Sequence, residues 1–233
     1  RSIKNIRKFD LKSTAILIPA RYESSRFPGK PLCNLGGTTM IRRVYDACVK
    51  TGFDTYVLTD HRSVAHAIPL KHVIYDNREF NNGTERCAGA ALEKLDYDQY
   101  INVQGDMPDV TPEIINNVHW HLKNYEVTTV WTPMPKDKQD DPHSVKMIRA
   151  GDQALWFGRG ITGYGDWHLG VYGYKRNMLE LYPRLPIEKE EEIEKLEQLR
   201  WLKNGVQIGV TSVEWNGIEI NTPEDARKWH ESR

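Results

Sequence analysis

Residues 18–32, reading Ile-Pro-Ala-Arg-Tyr-Glu-Ser-Ser-Arg-Phe-Pro-Gly-Lys-Pro-Leu, constrain this 233-residue chain more than any other stretch. They follow a short apolar run, residues 15–18, that reads as a buried strand ending at Pro19. The loop beyond it carries Arg21, Arg26 and Lys30, the serines Ser24 and Ser25, and Gly29 set between two prolines. A rigid, cationic loop with exposed backbone at the carboxyl end of a first strand is where an α/β protein receives phosphates. It is not a Walker loop, because Gly29-Lys30 is followed by Pro31 and Ser24 stands where the first glycine belongs. No Gly-x-Gly-x-x-Gly dinucleotide fingerprint occurs here either.

The remainder of the chain supports an α/β fold with a mostly parallel mixed sheet flanked by helices, because strand and helix signals alternate along it. Met40, Ile41, Val44, Ala47 and Cys48 recur at helical spacing, and Gly52 stops that helix. Residues 55–59, 72–75, 100–103 and 127–131 read as strands, residues 87–95 as a helix, and Thr111 with Pro112 opens another helix. From 133 to about 175 the chain turns glycine-rich and polar, with strand candidates at 145–148 and 154–157. This predicts a small β excursion laid over the main sheet, as a lid or a dimer contact, within one domain. Residues 188–204 predict one strong helix whose acidic run forms a solvated face supported by Glu191 and Lys195. Residues 206–213 predict a last strand, and Thr222, Pro223 and Asp225 open the final helix with a capping box.

Charge excludes some partners. Lys plus Arg equals Asp plus Glu at 32 each, so no global field draws the chain to nucleic acid or to a membrane surface, and any anion site is local. The three cysteines, Cys33, Cys48 and Cys87, have no metal-ligand spacing and cannot all pair, which fits reduced thiols in the cytoplasm. Residues 1–12 are basic but carry no continuous apolar stretch; they read as a flexible lead-in, neither signal peptide nor membrane span.

Asp106 closes Val-Gln-Gly-Asp, directly after a strand, where a glycine lets the backbone turn and an aspartate can hold a divalent cation above the sheet edge. Lys and Arg on one side and a carboxylate-held Mg²⁺ on the other form a clamp for a nucleoside triphosphate. Residues 83–86, Gly-Thr-Glu-Arg, form a second polar turn entering a helix, whose amides can meet an anion or a base. Arg159 has the guanidinium that pairs with a carboxylate. The pairs His119/His121 and His61/His66 lack a third ligand in a metal motif.

These segments together resemble the 3-deoxy-manno-octulosonate cytidylyltransferase (CMP-Kdo synthetase) family. The resemblance spans residues 15–228 and rests on six motifs in the family's order. They are residues 18–32, Gly-Thr-Glu-Arg (83–86), Asn-Val-Gln-Gly-Asp (102–106), His-Leu-Gly-Val-Tyr-Gly-Tyr (168–174), Leu-Glu-Gln-Leu-Arg (196–200) and Thr-Pro-Glu-Asp (222–225). It implies a cytoplasmic, homodimeric, Mg²⁺-dependent nucleotidyltransferase that joins CTP to an acidic sugar for lipopolysaccharide or capsule synthesis. Arg21, Lys30 and Asp106 would be catalytic. Ala20, Ser24, Ser25, Thr84, Arg86 and Gln104 would join Arg21 and Lys30 around the nucleotide. Gln104, Arg159, His168, Tyr172, Glu197 and Gln198 would face the sugar.

The chain departs from the family pattern at three places. Asn221 stands where the family has an aspartate that ligates metal; an amide oxygen coordinates without contributing charge, and Glu219, on the same face of an extended strand, is expected to replace part of it. The family's aromatic-Ser-Arg-Ala-x-Ile-Pro appears as Phe157-Gly158-Arg159-Gly160-Ile161-Thr162, and only eight residues separate Arg159 from His168. Three readings remain open at this level: a synthetase using 3-deoxy-manno-octulosonate, the same chemistry on the 8-amino sugar or another acidic sugar, and a non-catalytic binding paralogue.

Overall fold

The computed structural model describes residues 13–24 and 26–233, so the lead-in and Ser25 lie outside the described residues. Its first strand, β1 (Thr14–Pro19), alternates between two buried surfaces. Ile16 and Ile18 enter one apolar cluster while Ala15 and Leu17 enter the other. That double burial is why the segment reads as a continuous apolar run. A short hairpin, β2 (Asn34–Leu35) and β3 (Thr38–Thr39), leads into α1 (Met40–Val49). The Thr39 hydroxyl caps this helix by accepting the Arg42 amide at 3.3 Å, and Gly52, at φ +82°, turns the chain away.

Next come β4 (Asp54–Thr59), α2 (Arg62–His66), β5 (Val73–Tyr75), α3 (Gly83–Glu93), β6 (Gln99–Val103), α4 (Pro112–His121) and β7 (Val127–Thr132). They are followed by β8 (Lys146–Ala150), β9 (Gln153–Gly158), β10 (Asp166–Lys175), α5 (Arg176–Leu181), α6 (Lys189–Glu194), α7 (Leu199–Lys203), β11 (Ile208–Ser212) and α8 (Pro223–Glu231). Nine strands form one mixed sheet in the order β5-β4-β1-β6-β10-β7-β11-β9-β8. β1 runs parallel to β4 and β6, so the loops leaving Pro19, Thr59 and Val103 emerge at one edge. β10 runs antiparallel between β6 and β7 and brings residues 168–172 toward that edge from the opposite direction.

Three expectations are corrected. The 133–175 stretch does not form a separate small sheet; β8 and β9 are hydrogen-bonded into the main one, β9 with β11 and β8 with both β9 and β10. The helix expected from 87 begins at Gly83, because the Asn82 side chain accepts the Glu85 amide at 2.9 Å and starts the helix one turn earlier. The helix expected over 188–204 breaks at Lys195, which takes the left-handed φ of 53°. Its acidic run is not wholly solvated: Glu191 is buried and pairs with the buried Arg200 at 2.6 Å rather than with Lys195.

The final helix has the expected capping box between Thr222 and Asp225. Its Trp229 is buried with Leu35, Met40 and Ile220 in a third apolar cluster, and the indole N–H donates to Asp109 at 2.9 Å. The same carboxylate accepts the Ile218 amide at 3.0 Å. This anchorage fixes the non-helical segment before α8 against the loop that follows β6.

Candidate active site

A cleft of about 940 Å³ opens at the shared carboxyl edge of β1, β4 and β6. Such edges collect ligands in α/β sheets because loops diverge there. The loop after β1 folds back on itself, with Gly29 at φ +69° and its amide on the Tyr22 carbonyl at 3.3 Å. Ala20, Arg21, Ser24, Arg26 and Lys30 of this loop line the cleft.

Gln104, Gly105 and Asp106 form the opposing wall. A Cβ on Gly105 would sit 3.1 Å from the Pro19 carbonyl oxygen, so glycine permits the close passage of this turn across the end of β1. The turn presents Asp106 to Lys30 at 2.9 Å. Below them the Ile220 amide donates to the Asp106 carbonyl at 2.9 Å, and its neighbours Glu219 and Asn221 both line the cleft. Burial, reinforced by the Asp106 charge, pushes the Glu219 carboxyl up to about 8, against the opposing pull of Arg159 and Lys30.

Among the described residues no group of three His, Cys, Asp or Glu side chains is placed to enclose a metal. Asp106, Glu219 and the Asn221 amide oxygen supply two carboxylates and a carbonyl. That set fits a hard cation such as Mg²⁺, which completes its shell with water and phosphate oxygens.

At the other end of the cleft, Gln104 donates to Glu197 Oε1 at 3.3 Å and the Thr84 amide donates to Oε2 at 2.8 Å. Burial raises the Glu197 carboxyl, and the Thr84 and Gln104 bonds oppose it. Gly170 gives Gln104 its room, since a Cβ there would lie 2.8 Å from the amide. Gln198 is buried with its Nε2 lacking any partner among the described residues, an orphan donor that a ligand would satisfy. Tyr172 and His168 close the wall, their rings 5.4 Å apart. His168 Nε2 lies 3.0 Å from Thr129 Oγ1, and burial, with Arg159 adding to it, drives the imidazole down to about 3. The ring is therefore neutral and has shape and hydrogen bonding, not charge, to offer. Arg159 donates to the carbonyls of Glu194 and His143 at 3.2 and 2.8 Å.

Thus the cleft gathers every candidate residue within the described chain except Thr84. Thr84 is buried behind the wall, its hydroxyl 3.1 Å from Tyr174 Oη, and acts through its amide on Glu197. Arg86 lines the cleft but is held by the Asp60 carboxylate at 2.9 Å and the Asp76 carbonyl at 3.1 Å. Asp60, which also accepts the Tyr22 amide at 3.2 Å, stands in no motif of the sequence. Its signal is its position, directly after β4, as Asp106 stands just beyond β6. Arg200 and Glu191 were missed as a site pair; both reach the cleft because the helix breaks between them.

Residues 15–208 match the sequence profile of a family described as cytidylyltransferase. The 8-amino-3,8-dideoxy-manno-octulosonate cytidylyltransferase of Shewanella sp. (strain ANA-3) is 38% identical over 236 residues, covering 93% of this chain and 96% of the relative. The protein of the same description from Shewanella frigidimarina is 38% identical over 233 residues, covering 91% and 95%. Among solved structures, a CMP:2-keto-3-deoxy-manno-octonic acid synthetase complexed with CTP superposes with a TM-score of 0.87 at 30% identity, over 95% of this chain and 98% of that one. An inositol-1-phosphate CTP transferase from T. maritima shares the fold at a TM-score of 0.70 and 13% identity, over 94% of each chain.

Proposed function

The chain belongs to the cytidylyltransferase family, and on that premise we propose that it transfers the cytidylyl group of CTP to an eight-carbon acidic sugar. The acceptor is 3-deoxy-manno-octulosonate or its 8-amino derivative, and the products are the CMP-sugar and pyrophosphate. One observation carries this reading: the cationic loop holding Arg21 and Lys30 and the carboxylate-seeking Arg159 open on one cleft, with Asp106 and Glu219 between them.

In the reaction the anomeric oxygen bonds to the α-phosphorus as the bond from that phosphorus to the pyrophosphate oxygen breaks. The hydroxyl proton leaves to a carboxylate facing the cleft. Arg21, Arg26 and Lys30 neutralise the triphosphate, with Ser24 beside them. Arg159 takes the sugar carboxylate, while Gln104, Tyr172, Glu197 and Gln198 orient its hydroxyls. Asp106, Glu219 and Asn221 would hold Mg²⁺, which when bound offsets charge developing on the phosphates. Lys30, released from Asp106 by the incoming triphosphate, turns to the phosphate oxygens. We place the protein in the cytoplasm as a homodimer, in keeping with its free cysteines and with Leu155 and Tyr164, apolar side chains exposed near the β8–β9 end of the sheet. Among the described residues no helix is long and apolar enough to cross a membrane.

Pyrophosphate release from CTP and Mg²⁺, with 3-deoxy-manno-octulosonate, its 8-amino derivative and N-acetylneuraminate supplied separately, tests the reading. Turnover with an octulosonate and none with N-acetylneuraminate is expected. CTP binding without turnover on any sugar would refute it.

A further inference from the structure

Lys146 has 0% of its surface exposed. It lies in β8 with Gly158 of β9 and Trp167 of β10 on either side. Its neighbour Met147 enters the apolar core, so Lys146 faces the other way. Its ammonium donates to the Asp141 carbonyl at 2.6 Å and to the Arg159 carbonyl at 3.1 Å. No carboxylate of the described residues forms an ion pair with it. Of the nearby acids, the Asp141 carboxylate accepts the His143 amide at 2.8 Å, Glu194 Oε2 accepts the Arg159 amide at 2.7 Å, and Asp140 makes no ion pair with Lys146 among the described residues.

A buried ammonium without an ion-pair partner costs stability that an apolar side chain of the same length would not. Arg159 beside it also makes no ion pair among the described residues, its guanidinium resting on the carbonyls of Glu194 and His143. One of those carbonyls belongs to the turn that Lys146 holds through Asp141. Two adjacent cations are thus set in backbone oxygens, Arg159 lining the cleft and Lys146 buried behind it.

We propose that Lys146 is a positioning residue for the substrate's carboxylate. It pins the main chain of Arg159 and the 141–143 turn whose His143 carbonyl receives the guanidinium, and so holds Arg159 in place to meet an anionic group on the substrate. This rests on the reading of the cleft as an acidic-sugar site. Loss of Lys146 then weakens the acceptor sugar and spares CTP.

The test compares Lys146→Met, which keeps the length and removes the charge, with Lys146→Gln, which keeps a donor. KM and kcat are measured for CTP and for each octulosonate. In the substrate-free protein, exchange of the Arg159 Nε–H is followed by NMR, the resonance being assigned by its loss in Arg159→Lys. Lys146→Met should raise the sugar KM at least tenfold, hold the CTP KM within twofold and speed the Nε–H exchange at least tenfold, with Lys146→Gln recovering part of each. Equal shifts in both KM values, or an Nε–H that exchanges as slowly as in the parent, would overturn the proposal. If the parent protein turns over no acidic sugar, the functional reading fails, and the exchange measurement still decides the role of Lys146.

Discussion

Lys30 Nζ stands 2.9 Å from Asp106 Oδ2, a bond that joins the loop after β1 to the turn after β6 across the mouth of the cleft. Both side chains keep some exposure, 17% and 21%, so the pair contributes no more than about 1 kcal/mol to stability. Its proposed importance is chemical. Asp106→Asn and Lys30→Met should each lower kcat/KM by about 10²-fold or more, roughly 3 kcal/mol of transition-state stabilisation. Urea unfolding should place both variants within about 1 kcal/mol of the parent. Loss of folding in step with loss of activity would contradict this assignment.

Asn221 faces the cleft beside Glu219 and Asp106 and offers a neutral oxygen. Asn221→Asp adds a third carboxylate to that set. The Mg²⁺ concentration giving half-maximal pyrophosphate release should fall several-fold, about 1 kcal/mol in binding. An unchanged requirement would remove Asn221 from the metal site.

His168 makes the fold acid-sensitive. Its imidazole is held near 3, below the ordinary value of about 6.5, by burial and by Arg159. The unfolded chain therefore takes up the proton first. The contribution to stability is complete above about pH 6.5 and is lost as pH falls toward 3. Glu219, raised to about 8, trends the other way over this range, so the contribution of His168 is read as the difference between the parent and a His168 variant. Urea unfolding at pH 7.5 and at pH 5 should show about 2 kcal/mol lost through this group. His168→Gln should reduce that pH dependence by the same amount, whatever its effect on overall stability.

Substitution of Gly170 is expected to affect acceptor binding more than stability. A methyl group there meets the Gln104 amide, the movable end of a side chain, not backbone. Gly170→Ala should displace Gln104 from Glu197 and raise the sugar KM about tenfold, with less than about 1 kcal/mol lost in unfolding. An unchanged sugar KM would show that the Gln104–Glu197 bond does not orient the acceptor.

The parts of this molecule legible in the sequence are those fixed by local chemistry. β1 and its loop declare themselves through an apolar run followed by proline, cations and Gly29, and α8 through the Thr222–Asp225 box. The break at Lys195 is invisible locally, because every residue around it favours helix. It exists because Arg200 reaches back to Glu191 and Glu85, and Tyr182 donates to the Glu197 carbonyl at 2.9 Å. Those long-range bonds turn Glu197 and Gln198 into the cleft. Lys146 is hidden for the same reason. A lysine in a short polar strand reads as surface, and only its placement between β9 and β10 buries it.

The proposed reaction cleaves CTP between its α- and β-phosphates, and the sugar captures the cytidylyl group. Phosphorus-31 NMR of the protein with CTP, Mg²⁺ and 3-deoxy-manno-octulosonate, and separately with the 8-amino sugar, observes this directly. The account predicts equal growth of a phosphodiester resonance and of pyrophosphate in at least one mixture, at the expense of CTP. Appearance of CDP with inorganic phosphate, or a spectrum unchanged with both sugars, would contradict it.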